Sequence, residues 1–167
     1  AEDLGIPCLV VLNRLDRDRA SLDRSLQSLR DVFGRTVVPV QIPIGEDKAF
    51  RGVVNLVSMQ ALTFHTDGSG TLTVGAVPAD LAEGAQAARH ALIELVAEAD
   101  ETLMERFFDA GTLTQAELET GLRTATLTRR VFPLLCTSAV LNVGVQPLLD
   151  ALLAYAPSPL ERSIKAI

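Results

Sequence analysis

The stretch that most limits how this chain can fold is Ile6-Pro7-Cys8-Leu9-Val10-Val11-Leu12, a nearly unbroken apolar run near the start of the 167-residue sequence. A strand solvated on one face alternates polar and apolar residues. A strand covered by helices on both faces does not, so this run reads as part of a parallel sheet. Open α/β sheets bind ligands at the carboxyl ends of their strands, and this one ends in Asn13-Arg14-Leu15-Asp16. A carboxylate held there accepts from two adjacent donors of the kind guanine presents at N1 and its exocyclic amine. Adenine, with a lone pair at N1 and no 2-amino group, is refused by the same carboxylate. Asn and Asp after a strand serve equally as turn formers whose side chains bond their own backbone.

Apolar residues make up 48% of the chain and charged ones 22%, ample for a core. Aromatic residues are only 4%, so that core is aliphatic and offers no stacking platform for nucleic-acid bases. A net charge of −6 argues against direct DNA binding and favours a basic protein partner. Cys8 and Cys136 both lie in apolar runs, which suits buried reduced thiols rather than a disulfide or metal site. His65 and His90 have no ligand-spaced companions, so no metal site is read. There is no signal peptide and no run of membrane-spanning length, and a cytoplasmic, membrane-free protein is expected. The sequence opens without Met, directly before a buried-type strand, and reads as a piece of something longer.

After Asp16, a polar loop leads to a helix with Leu22, Leu26, Leu29 and Phe33 on one stripe, Ser21 at its N-cap and Gly34 at its end. The texture then changes. Val37 to Ile44, broken by Pro39 and Pro43, suits an edge strand. Val53, Val54, Leu56, Val57, Leu62 and Phe64 are strand-like, and the turn cluster Thr66-Asp67-Gly68-Ser69-Gly70 allows Thr71 to Val74 to return as a hairpin partner. A long helix is expected from near Pro78, with Asp80 and Glu83 in capping-box spacing, running to Gly111. Leu81, Ala85, Leu92, Val96, Ala99, Leu103 and Phe107 fall on one side; Glu83, Glu94, Glu98, Glu101 and Glu105 fall on the other. That acidic stripe, without an i,i+4 lysine, suits either a solvated face or a partner surface. Thr114 and Glu117 open a further helix as a capping box. Val131 to Cys136 is a second buried-type strand, followed by Thr137-Ser138-Ala139 and a last helix from Val145 that stops at Pro157-Ser158-Pro159.

Asn13-Arg14-Leu15-Asp16 plus Ser138-Ala139, each ending a strand ahead of a helix, resembles the base-recognition half of GTP-binding proteins. Pro43-Ile44-Gly45, Phe50 to Val54, Glu98 to Glu105, Val143 to Asp150 and Pro157-Ser158-Pro159 extend the resemblance to the elongation factor G family of translational GTPases, or to a divergent paralogue within it. It implies an α/β fold: the back half of a P-loop GTPase domain, with parallel strands and flanking helices, carrying an inserted α+β subdomain with a small antiparallel sheet and a helix pair. Residues 1–36 and 128–160 would be the partial GTP-binding domain, 37–127 the insert, and 157–167 a linker toward a further domain.

The resemblance also implies roles. Asp16 would take the guanine N1 and N2 donors, Asn13 would tie the pocket loops together, Ser138 would steady Asp16, and Ala139 would offer its backbone N–H to O6. Arg14 stands where the family has lysine, bulkier and forked, although able to stack on a base. GTP or GDP is the ligand implied for the parent protein. No Gly-x-x-x-x-Gly-Lys-Ser/Thr occurs in the sequence, so a phosphate loop and Mg²⁺ site are missing, no catalytic residue is assigned, and no tightly bound nucleotide or hydrolysis by this chain alone is expected. The alternatives are a module that binds the ribosome's stalk protein through Glu94, Glu98, Glu101 and Glu105, and part of a release-factor-type GTPase.

Overall fold

The computed structural model describes residues 5–65 and 67–161. Thr66 of the expected turn cluster and residues 162–167 of the expected linker lie outside them.

Two sheets share the molecule. The first is parallel, with β1 (Val10–Leu12), β7 (Phe132–Cys136) and β2 (Val37–Pro39) in the order β1-β7-β2. Val10, Val11 and Leu12 pair with Leu134, Leu135 and Cys136; Val37, Val38 and Pro39 pair with Phe132, Pro133 and Leu134. The second is antiparallel: β3 (Gln41–Ile44), β4 (Gly52–Asn55), β5 (Gln60–Phe64) and β6 (Leu72–Gly75) in sequential order. The helices are α1 (Leu22–Phe33), α2 (Ala79–Ala97), α3 (Glu101–Ala110), α4 (Gln115–Leu127) and α5 (Val145–Tyr155). This is the α/β arrangement expected from the sequence, a parallel sheet beside a separate small antiparallel one.

The run from Val37 to Ile44, expected as one edge strand, is two. Its first three residues close the parallel sheet, and Gln41 to Ile44 start the antiparallel one. Both are indeed edges, which is why Pro39 and Pro43 are tolerated. The splice is tight. Val40 N–H donates to Leu134 O at 3.0 Å, and Leu56 N–H donates to Val40 O at 3.0 Å. Where β2 ends, the buried Gln41 side chain continues the ladder, its Oε1 accepting from Cys136 N–H at 3.2 Å. A buried amide that replaces a missing ladder partner leaves no orphan backbone donor.

Because β7 is covered on both faces, neighbouring residues of that one strand feed different cores. Leu134 and Cys136 join Leu15, Leu22, Val37, Phe50, Val53, Phe64 and Val143 on one side. Leu135 joins Val38, Val54, Leu92, Val96, Leu118 and Leu122 on the other.

The helix expected from Pro78 to Gly111 is interrupted. α2 ends at Ala97, and Asp100 caps a new helix, its Oδ1 accepting from Thr102 N–H at 2.9 Å and Leu103 N–H at 3.1 Å. An aspartate that bonds the backbone ahead of it competes with helix continuation. Nor do Asp80 and Glu83 cap α2: its N-cap is Pro78, without a side-chain cap bond. The Thr114–Glu117 capping box of α4 does form, with Thr114 N–H to Glu117 Oε2 at 2.9 Å and Glu117 N–H to Thr114 Oγ1 at 3.3 Å. These bonds, with Arg106, hold the Glu117 carboxyl below its usual range.

Gly52 lies where a Cβ would come within 2.3 Å of Leu62 O in the paired strand, whereas nothing lies within 4 Å of one at Gly75. Gly52→Ala is therefore expected to cost about 2–3 kcal/mol as the strands are forced apart, and Gly75→Ala to be near neutral. Urea midpoints of the two variants check this; equal midpoints would refute it.

Candidate functional site

The two motif loops leave adjacent strands and lock together at once. Thr137 N–H donates to Leu12 O at 2.9 Å, and Leu15 N–H donates to Thr137 O at 3.2 Å. The first loop thus crosses the end of β7 before it turns. Leu15 anchors the crossing: only 4% exposed, it sits in the core with Phe50 and with Val53 and Phe64 of the other sheet. Arg14 before it holds left-handed backbone, φ 64°, and is exposed.

Asn13 is the knot. Its Oδ1 accepts from Arg14 N–H at 2.8 Å, from Ala139 N–H at 3.0 Å and from Thr137 Oγ1 at 3.4 Å. The expected tie between the loops is therefore present as geometry. It uses the Ala139 N–H that the resemblance assigns to the base O6, so that donor is satisfied within the chain.

Ser138 is wholly buried, and among the described residues its hydrogen bonds go elsewhere than Asp16. Its Oγ accepts from Leu141 N–H at 3.3 Å, while its backbone exchanges hydrogen bonds with Val143 at 2.9 and 3.0 Å. The hydroxyl closes its own turn, the usual local competition for a serine at a strand exit. Gly144 ends the loop at φ +76°, where a Cβ would meet Cys136 O at 2.3 Å, so only glycine lets α5 start this close to β7. Beneath lies Cys136, whose burial pushes the thiol up to about 12, leaving it neutral.

Asp16 differs from its neighbours. Its side chain is 13% exposed; Oδ2 stands 3.9 Å from Arg17 Nε, and Oδ1 is buried without a hydrogen-bond partner. An acceptor in that state is open to a donor that reaches it.

The acidic stripe is dispersed rather than uniform. Glu98 pairs with Arg35, Glu94 lies 3.5 Å from His90 Nδ1, and the interruption before α3 moves Glu101 and Glu105 to a separate helix. No lysine stands at i,i+4 to these glutamates, and the cation on Glu98 comes from residue 35 across the fold. Sequence reasoning missed Thr137 and Asn142. Thr137 had a signal, as a hydroxyl at the strand exit; Asn142, two residues before Gly144, resembled any turn residue.

Among the described residues no group of three or more His, Cys, Asp or Glu can hold a metal ion, and no helix is long and apolar enough to cross a membrane.

Residues 1–158 match the family model described as the elongation factor Tu GTP binding domain. The chain belongs to that family. A crystal structure of a protein from Thermus thermophilus superposes on it with a TM-score of 0.85 at 29% sequence identity, over 97% of this chain and 24% of that one. The chain therefore spans about a quarter of the length of that relative.

If the isolated Oδ1 serves a ligand rather than the fold, Asp16→Asn is expected to leave the thermal midpoint unchanged or raised, by up to about 1 kcal/mol of stability. Loss of more than about 1 kcal/mol would mark Asp16 as structural.

Proposed function

We propose that this chain supplies the guanine-recognition half of a translational GTPase of the elongation factor G type, acting on the ribosome during translocation. The observation that carries the reading is the buried, unpartnered Oδ1 of Asp16 at the carboxyl end of a parallel strand. Asp16 takes the N1 and 2-amino donors of the base, and Asn13 holds the loop that presents it. Ser138 acts through its own turn, placing Ala139. Ala139 reaches O6 only by exchanging its bond to Asn13 for one to the base. Arg14, exposed and left-handed, is free to lie over the base face, where its guanidinium stacks.

Phosphoryl transfer depends on positioning and charge stabilisation by a phosphate loop and Mg²⁺. The sequence contains no such loop, so this chain reads the base without hydrolysing the nucleotide. Its affinity for GDP is about millimolar, near 4 kcal/mol. An NMR titration with GDP, and ADP as control, tests this: guanine-selective shifts at Asn13, Asp16 and Ala139 are expected, and equal shifts with ADP would refute base recognition.

A second reading concerns α3, on an observation of its own. Glu101, Glu105 and Phe108 share one face at i, i+4 and i+7 spacing. Phe108 is 77% exposed, and neither glutamate forms an ion pair among the described residues. An apolar anchor flanked by free carboxylates suits a basic, partly apolar partner such as the ribosomal stalk protein, with Glu94 and Glu98 at the margin. Charges of this kind mainly steer association and are screened by salt. Reversing Glu101 and Glu105 to lysine is expected to slow association with stalk protein at least about tenfold at low salt; an unchanged on-rate would remove this reading.

A further inference from the structure

The loop from Ser138 to Val143 leans on the antiparallel sheet. Asn142 holds left-handed backbone at φ 53°, and its Nδ2 donates to Gly68 O at 3.3 Å. Gly68 lies in the turn from Asp67 to Gly70 that joins β5 to β6. That turn is internally braced. Ser69 N–H donates to Asp67 Oδ1 at 2.9 Å, Thr71 N–H donates to Ser69 Oγ at 3.1 Å, and His65 N–H donates to Thr71 O at 2.9 Å. Gly70, at φ +74°, leaves no room for a side chain: a Cβ there would lie 2.5 Å from Asn142 Nδ2. Below the contact, Phe64 and Leu72 of the hairpin pack in the same core as Leu141 and Val143 of the loop.

The contact continues into the site. Asn142 N–H donates to Ala139 O at 3.3 Å, and Ala139 N–H donates to Asn13 Oδ1 at 3.0 Å. A line of hydrogen bonds therefore runs from the hairpin turn, through the Asn142 side chain and backbone, to the amide that Asn13 holds. On the other flank Lys48 Nζ, from the turn between β3 and β4, stands 3.5 Å from Asp18 Oδ1 in the loop after Asp16. That pair is exposed and contributes little; Asn142 is the member with directional geometry.

We propose that the turn Asp67–Gly70 is a positioning element for the base site, setting the Ala139 amide through Asn142 and so coupling the antiparallel sheet to nucleotide selectivity. Only the selectivity part rests on the guanine reading above. Asn142 is a positioning residue that works through Ala139 without touching the ligand.

Asn142→Asp tests it. Aspartate tolerates the left-handed backbone, but it donates nothing and sets a carboxylate against Gly68 O. In the ligand-free chain, hydrogen exchange at Ala139 is expected to quicken about threefold to tenfold, the range one neutral hydrogen bond supports, while the Leu135 amide keeps its rate. The preference for GDP over ADP in the NMR titration falls by a similar factor. Asn142→Gly, which keeps the backbone conformation and removes the amide, is expected to show the same pattern. Unchanged exchange at Ala139 in both variants overturns the inference, and so does equal acceleration at Leu135, which would signal general destabilisation. A wild-type chain that treats GDP and ADP alike overturns the base reading instead, a failure read on the titration and not on the exchange rates.

Discussion

Strand β7 must be dry on both faces, and most of the architecture follows from that requirement. Leu134, Leu135 and Cys136 expose nothing. Their backbone groups have no water to turn to, so each needs a protein partner. β1 supplies them on one side and β2 on the other, and where β2 leaves, Val40 N–H and the Gln41 amide take over. The substitution of a side chain for a strand is what lets the polypeptide pass from the parallel sheet into the antiparallel one within two residues. The two sheets are thereby spliced at their edges and share cores on both sides. Residues 41–75 form part of the support for the site.

The same strand places the chemistry. Thr137 continues β7 by one residue and traps the loop from β1 between its N–H and its carbonyl. Leu15 is then drawn into the core beneath, and the residue on either side of it is set by alternation, with Arg14 outward and Asp16 half-sheltered at the rim. Asp16 is left with one buried oxygen that nothing in the described structure satisfies. It lies at the place where α/β sheets bind ligands, which is why the guanine reading is proposed for it.

What the sequence made legible was what depends on neighbours along the chain. A continuous apolar run marked β7, the Thr114–Glu117 spacing marked the start of α4, and the turn cluster marked the β5–β6 hairpin. The run from Ile6 to Leu12 gave only a three-residue strand, Val10–Leu12, with Val11 43% exposed and Cys8 half-buried rather than a strand covered on both faces. What stayed hidden depends on contacts across the fold. The division of Val37 to Ile44 between two sheets is decided by Gln41 reaching Cys136, 95 residues away. The break before α3 was in principle visible in Asp100, but the apolar periodicity runs through it and outweighed the cap. Glu98 looked uncompensated because Arg35 approaches from 63 residues away. The motif residues were readable as types, yet their bonds were not. Ser138 turned inward to Leu141, and Ala139 was taken by Asn13, since each satisfies its hydrogen bonds with the nearest group available.

That last arrangement bears on how the site discriminates. Ala139 N–H has a full hydrogen bond to Asn13 Oδ1. A base carbonyl that takes this donor replaces one neutral bond by another, and such exchanges are worth little net. Asp16 is in the opposite position: donors brought to its buried oxygen relieve a cost that the fold already bears, and every new bond counts. Under the proposed guanine reading, selectivity would be concentrated in the carboxylate, while Asn13 and Ala139 would set how the loop offers it. The loops around it are tied to one another by Thr137, Asn13, Ser138 and Asn142, which fixes the backbone from which Asp16 projects.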